Sequence, residues 1–398
     1  MEMETQAKLT RYAQEVRQEL DNILTYWAKN TYDEKNRTFH HRVNKENQII
    51  PNAPKGTVLG SRILWTFSAA YNFDKQRYAK FLPLAETAYQ NLIGYFIDQD
   101  LGGVYWTADN QGNPLDTSKQ MYAHSFAVYA LSEYFKAVPK QEVLDKALGI
   151  YQVMEKYSFD KENLGYIDAF SRDWQATDRL HLSSGGAKKT MNTHLHILEA
   201  YTNLYKVWKE EGLRKQLYYL IDNFLSHIIE LSSYHLILFF DEKWAPTSQI
   251  DSYGHDIECS WLLLEAAEAL GDRSLIDKVK PTCTQMALAA CMGLDADGGM
   301  KYELDRKTGH RNEEKSWWVQ AEAMVGFFNA WQMTKAKHFL DKSLASWEFT
   351  KKNLIDKENG EWFISAHNKN GDKVTLWKCP YHNSRACIEI FNRIKHKH

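Results

Sequence analysis

The sequence predicts an all-α protein, a closed ring of six helix pairs joined by short β-hairpin-like loops. Three observations predict it. Apolar residues recur at helical spacing, a turn signal repeats six times, and polar residues suited to one site come from both halves of the chain.

The helical spacing is clearest in Ser61–Asn72, Ser125–Lys136, Met191–Lys206, Cys259–Leu270 and Val319–Thr334, which carry apolar residues at i, i+3, i+4 and i+7. Between helices a punctuation recurs: an Asp, a few polar residues, often Gly, then a short aromatic or β-prone run. The copies are YDEKNRTFHHRV at Asp33, IDQDLGGVYW at Asp98 and FDKENLGYIDAF at Asp160. They continue with FDEKWAP at Asp241, LDADGGMKYE at Asp295 and IDKENGEWFIS at Asp356. Successive Asp positions differ by 65, 62, 81, 54 and 61. Each unit has room for two helices and a hairpin-like loop. An open solenoid would want polar capping repeats at its ends; a closed ring brings the last unit beside the first and fits candidate residues drawn from both halves. No Pro-rich or Gly/Ser linker interrupts the repeat, so one domain over residues 1–398 is expected, with SSGG at 183–186 as a loop inside the third unit.

Composition narrows the function. Apolar residues make up 44% of the 398, enough for a large core. Lys plus Arg number 49 and Asp plus Glu 51, so the formal charge of −2 offers no basic face to a nucleic acid. Cys259, Cys283, Cys291, Cys379 and Cys387 are odd in number and lack zinc-finger or CxxC spacing, which fits a reduced, cytoplasmic setting. The N-terminal stretch is charged and helical in pattern, and no run of 18 apolar residues occurs, so neither export nor a membrane span is expected. A monomer or weak dimer is expected. Aromatic residues reach 13%, with 13 Trp and 22 Tyr. Most suit a helical core, but flat rings also pack against the C–H faces of sugars. P-loop, GxGxxG, HExxH and GxSxG signatures are absent, and no metal or cofactor is expected.

Candidate chemistry lies in five segments. In KGTVLGSRILWTFSAAY (55–71), Arg62 opens an apolar helix: it either snorkels to the surface or is a buried cation aimed at a substrate oxygen. In KKTMNTHLHILEAY (188–201), His194 and His196 point apart on a helix and make a poor metal pair. Asn192, His196 and Glu199 share one stripe. In DSYGHDIECSWLLLEAAEAL (251–270), His255 and Glu258 share a face, as a proton-transfer pair or as part of a helix-start network. LWKCPYHNSRACIEIF (376–391) sets His382, Asn383 and Arg385 in a polar cluster. In SWWVQAEAMVGFFNAW (316–331), Trp318 and Glu322 are four apart. Of Trp317 and Trp318, core packing explains one and a sugar platform the other.

Together these segments resemble the cellobiose 2-epimerase branch of the N-acylglucosamine 2-epimerase superfamily. The resemblance rests on GTVLGSRILWTFSAAY (56–71), GGVYW (102–106), KTMNTHLHILEAYTNLY (189–205), SYGHDIECSWLLLEAA (252–267), WWVQAEAMVGFFNAWQ (317–332) and WKCPYHNSRACIEI (377–390). It implies an (α/α)6 barrel and a metal-free, cofactor-free epimerisation of a small sugar by proton transfer. His255 and His382 match the family's two acid/base histidines. His196 and Arg62 match groups that bind and polarise the reacting end, and Tyr122, Asn192, Glu258, Trp318, Glu322 and Trp377 match positions lining the sugar site. Two departures stand out. Arg37-Thr38-Phe39-His40-His41 replaces a Gly-Gly-Phe-x-Gly pattern in a loop expected near the mouth, and SSGG at 183–186 replaces a Ser/Glu-rich loop. The alternatives are a monosaccharide 2-epimerase or aldose–ketose isomerase, an inverting glycoside hydrolase using Glu258 and Glu322, and a non-catalytic glycan-binding barrel.

Overall fold

The structure, a computed structural model, describes residues 2–177 and 186–395. The SSGG reading therefore falls, apart from Gly186, outside the described residues.

Among the described residues, twelve helices of thirteen residues or more build the fold. They are α1 (Glu2–Asn30), α2 (Thr57–Phe73), α3 (Leu82–Tyr95), α4 (Met121–Ala137), α5 (Gln141–Val153) and α6 (Met191–Val207). The second half adds α7 (Glu211–Asn223), α8 (Tyr253–Leu270), α9 (Arg273–Ala290), α10 (Trp317–Thr334), α11 (Lys337–Asn353) and α12 (Tyr381–Lys395).

The even-numbered helices are buried on nearly all sides through most of their length; every residue of α10 from Trp317 to Ala330 is buried. Such a helix must be surrounded by protein. These six stand side by side in chain order, and α12 returns to pack on α2. The odd-numbered helices carry one apolar stripe, as in Leu213, Leu217, Leu220 and Ile221 of α7. They form an outer layer with α3 on α2, α5 on α4, α7 on α6, α9 on α8, α11 on α10 and α1 on α12. The sixth pair thus joins the first and last helices of the chain, so the ring is closed and the solenoid alternative falls. Each Leu or Phe sealed between the layers contributes about 1.5–3 kcal/mol. Side chains also tie the closure: Trp347 Nε1 donates to Glu15 at 2.7 Å and Trp362 Nε1 to Glu19 at 2.7 Å.

Short antiparallel pairings link successive units. Lys55–Gly56, before α2, pairs with Thr107–Ala108, and Lys119–Gln120, before α4, with Ala169–Phe170. Lys189–Thr190 pairs with Phe239–Phe240, and Ile250–Ser252 with Glu303–Asp305. Bridges Ser316–Ser365 and Val43–Val374 continue the circuit. All six inner helices therefore begin at the same end of the ring.

The repeated Asp residues are structural. Lys119 Nζ donates to Asp98 at 2.9 Å and to the Gly102 carbonyl at 2.8 Å. Lys189 does the same to Asp160 and Leu164, and Lys373 to Asp356 and Gly360. The fourth copy corrects the sequence reading. Bridges Ile97–Val104, Phe159–Tyr166, Leu294–Met300 and Ile355–Trp362 mark equivalent turns, and their counterpart in the fourth unit is Ile229–Leu236, next to Glu230. Glu stands there in place of Asp, so a pattern built on Asp ran on to Asp241. With Glu230 the intervals become 65, 62, 70, 65 and 61. In the loop at 37–41, His41 Nδ1 accepts the Gly56 N–H at 3.0 Å, directly before α2, and Phe39 packs on Phe67. Among the described residues no helix is long and apolar enough to cross a membrane.

The fourth residue of four inner helices accepts a loop N–H. His124 takes Val104 at 3.0 Å, His194 takes Tyr166 at 2.9 Å, Asp256 takes Leu236 at 2.9 Å and Gln320 takes Met300 at 2.7 Å. His194 is thus a structural group. His194→Leu strands a buried N–H and should lower stability by about 1–3 kcal/mol in urea unfolding, whereas His194→Gln, copying the Gln320 device, should recover most of the loss.

Candidate active site

Where the inner helices begin, the ring encloses a cavity of about 650 Å³. The residues singled out in the sequence occupy equivalent places in its wall. Tyr122, Asn192, Trp318 and His382 are each the second residue of an inner helix, and Arg62, His196, Glu258 and Glu322 each the sixth. Second and sixth positions lie four apart, on one helical face, and here that face looks along the ring axis. Nine of the ten predicted residues line the cavity: Arg62, Tyr122, Asn192, His196, His255, Glu258, Trp318, Trp377 and His382. Glu322 sits behind His382. Trp317 lines the cavity beside Trp318, so both tryptophans face it and the expected division between core and platform does not hold.

Arg62 is buried, which removes the snorkelling reading. Its Nη2 donates to the Tyr122 hydroxyl at 2.9 Å and its Nη1 meets Cys379 Sγ at 3.5 Å, while Phe126 and Tyr381 rings lie at 4.2 and 5.1 Å. Among the described residues no carboxylate forms an ion pair with it, and its Nε is unpartnered. A buried guanidinium so placed is ready for an anionic oxygen.

The imidazoles differ in what backs them. His382 Nδ1 meets Glu322 Oε1 at 2.7 Å, and Glu258 Oε1 lies 3.9 Å away. His196 Nδ1 meets Glu199 Oε2 at 3.0 Å, as their shared stripe suggested. His255 Nδ1 meets the Ser252 hydroxyl at 2.7 Å. The expected His255–Glu258 pair is therefore not made: one turn of helix aligns the two, but Glu258 is drawn to Arg385. Trp318 touches both reactive-looking rings, with centroids 4.8 Å from His255 and 5.6 Å from His382.

Arg385 lies at the centre of the wall. Its Nη2 donates to Glu258 and Glu322, each at 2.7 Å, and its Nη1 to Glu199. Tyr381 also donates to Glu199. Burial raises the Glu258 carboxyl well above its usual range, and neighbouring Glu322 adds to it. Burial raises Glu322 too, against Arg385. At Glu199 burial is outweighed by Arg385 and His196, which hold it at about 2. Burial drives His255 down to about 3, and burial with Arg62 and Arg385 drives His382 well below 6.5, so both rest as neutral imidazoles. Glu258, Glu322 and His382 place ligand atoms within 4.8 Å of one another. The two carboxylates there already share the guanidinium of Arg385. Ser252 and Tyr381 were not anticipated. Ser252 was legible as the residue before a helix, but its use as an imidazole partner was not.

A closed helical ring, with imidazoles and a lone guanidinium on an aromatic-walled cavity, defines an enzyme that moves protons on a carbohydrate. The chain belongs to the N-acylglucosamine 2-epimerase (GlcNAc 2-epimerase) family, whose model matches residues 38–386. It is 45% identical over 386 residues to the cellobiose 2-epimerase of Bacteroides fragilis, covering 95% of this chain and 98% of that one. It is 39% identical to the cellobiose 2-epimerase of Dictyoglomus turgidum, covering 96% and 98%. The solved cellobiose 2-epimerase of Bacillus thermoamylovorans superposes with a TM-score of 0.91 at 38% identity, covering 96% and 100%.

Gly254 sits where any side chain would press on this arrangement. A Cβ there would lie 2.6 Å from Trp318 Cη2 and 2.8 Å from Val319 Cγ2. Gly254→Ala should push Trp318 off both imidazoles and lower kcat/KM about 10- to 100-fold, with helix content by circular dichroism unchanged.

Proposed function

We propose that this protein inverts carbon 2 of the reducing-end glucose of cellobiose and related β-1,4-linked disaccharides, leaving mannose at that end. The observation that carries the reading is the pairing of two neutral cavity imidazoles, His255 and His382, with the uncompensated cation of Arg62.

The chemistry follows from those groups. The hemiacetal opens when a proton leaves O1 and one reaches the ring oxygen; His255 serves this step. The C2 proton is then acidic, because it is α to an aldehyde. His382 has Nδ1 committed to Glu322, so its Nε2 is the nitrogen free to take that proton, and the carboxylate stabilises the imidazolium that results. Arg62 and Tyr122 meet the negative charge of the enediolate, the kind of stabilisation that usually contributes most. His196, held by Glu199, and Asn192, whose Oδ1 is unpartnered, bind the hydroxyls of the reacting sugar. A proton relayed from water through Nε2 of His255 reaches the opposite face of C2 while His382 gives up its own to water, which returns both imidazoles to neutral and gives the mannose configuration. The two epimers have the same oxidation level, so the reaction calls for no redox cofactor. Trp377, 40% exposed and 6.0 Å from the Trp106 ring, offers a platform for the second sugar. The whole chain acts as one catalytic unit, in the cytoplasm, as a monomer or weak dimer without nucleic-acid partners.

The inverting-hydrolase reading asks for carboxylates about 6.5–9.5 Å apart. Glu258 and Glu322 have oxygens within 4.8 Å and are both held by Arg385, which does not suit it.

The test is to incubate EDTA-treated protein with cellobiose in D₂O and follow the sugar by NMR. The expected product is 4-O-glucosyl-mannose carrying deuterium at C2. Reaction of free glucose or mannose alone moves the substrate to monosaccharides, and cleavage to glucose overturns the reading. His382→Ala and His255→Ala should each lower kcat by about 100-fold or more while the circular dichroism spectrum persists; near-normal rates in both would sink the mechanism. The pH dependence has a definite sign. A base must be neutral to act, and burial lowers both histidines, so kcat/KM should stay level as pH falls through 6.5, the ordinary histidine value, and decline only well below it. A midpoint at 6.5 would contradict the assignment.

A further inference from the structure

A serine just before a helix ordinarily turns its hydroxyl onto the backbone N–H of the second or third helical residue. Thr190, before α6, does so, accepting from Thr193 N–H at 3.2 Å. Ser252 holds the same place before α8 and makes no such cap. Its hydroxyl meets the ring of His255 instead, Oγ to Nδ1 at 2.7 Å. His255 is itself the third residue of α8, so the hydroxyl passes over that residue's backbone donor and takes its side chain. Ser252 is buried, borders the cavity, and is held in register opposite Glu303 by the strand pairing. A hydroxyl turned from the helix start onto an imidazole of the cavity points to a use in the reaction.

The contrast with the second imidazole says what the use is. His382 is backed by a carboxylate at 2.7 Å, which stabilises the imidazolium as it forms. A hydroxyl orients an imidazole but adds no charge. Taking a proton from carbon leaves the imidazole charged while the enediolate forms, and a carboxylate behind the ring favours that. Moving a proton between two oxygens needs a group that returns it as easily as it takes it.

We propose that Ser252 is the positioning residue that assigns His255 to ring opening: its hydroxyl accepts the Nδ1 proton in hydrogen bonding and leaves Nε2 to the sugar oxygens. Nε2 takes the proton from O1; the C1–O5 bond breaks with its electron pair going to O5; the C1=O1 bond forms; and the same proton passes from Nε2 to O5. Atoms and charge balance within substrate and imidazole. The inference rests on the epimerase reading above.

The experiment compares wild type, Ser252→Ala and Ser252→Thr on cellobiose with hydrogen or deuterium at the reducing-end C2. Wild type should show a primary isotope effect on kcat. Ser252→Ala should lose about 10- to 100-fold in kcat, the usual cost of removing a histidine's orienting partner. Its KM should be little changed, and its isotope effect should fall toward one as ring opening becomes limiting. Ser252→Thr, which keeps the hydroxyl, should restore both. Ser252→Ala should keep the wild-type circular dichroism spectrum, so that its rate is read on folded enzyme. A Ser252→Ala enzyme with wild-type kcat overturns the proposal. So does a slow one with an undiminished isotope effect, or one slowed only through a lowered unfolding midpoint. A wild type that exchanges no C2 hydrogen at all overturns the epimerase reading, and this proposal with it.

Discussion

The guanidinium of Arg385 is the constraint on which the site depends. It reaches from α12 to carboxylates on α6, α8 and α10, so one cation binds four of the six inner helices at the level of the cavity floor. Those carboxylates in turn hold the imidazoles, Glu199 at His196 and Glu322 at His382. Removing one partner of such a buried cluster leaves uncompensated charge, at about 3–5 kcal/mol. The cluster is also anionic in excess, with three carboxylates to one guanidinium. Burial answers part of that by pushing Glu258 and Glu322 toward their protonated forms.

Above this floor the cavity separates two electrostatic tasks. Arg62 is kept free of carboxylates and ringed by aromatic faces, so its charge remains available to a developing oxyanion. The histidines are kept neutral by burial, and their different partners distinguish them. A carboxylate stands behind His382 and a hydroxyl behind His255, so one residue type is held in two different ways. Trp318, in contact with both, holds their separation.

The architecture explains why ten scattered residues converge. Each inner helix is stapled at its start to the next unit, by a short strand pair or a single bridge, so the six starts share one rim. Second and sixth positions then face the axis in unit after unit, while fourth positions turn outward to hold a loop N–H, as His124 and His194 do. The same register gives one histidine in α6 a structural use and another a place in the cavity.

Much of this was readable before folding. Helical periodicity, the six turn signals and the apolar inner segments determined the all-α ring, and residue blocks in chain order determined the family and nine of the residues that line the cavity. The fourth turn was misplaced because Glu230 stands where the other copies have Asp, and a pattern in residue letters cannot see that both carboxylates fill one role. Partnerships were the other gap. His196 with Glu199 was legible because both lie within one turn of α6. The pairing of His382 with Glu322, and of Glu258 with Arg385, joins positions 60 and 127 residues apart. The reason is physical: helical spacing determines which side chains share a face, but contacts between helices are set only when the ring closes and brings α12 against α2 and α10. Closure decided which carboxylate serves which imidazole.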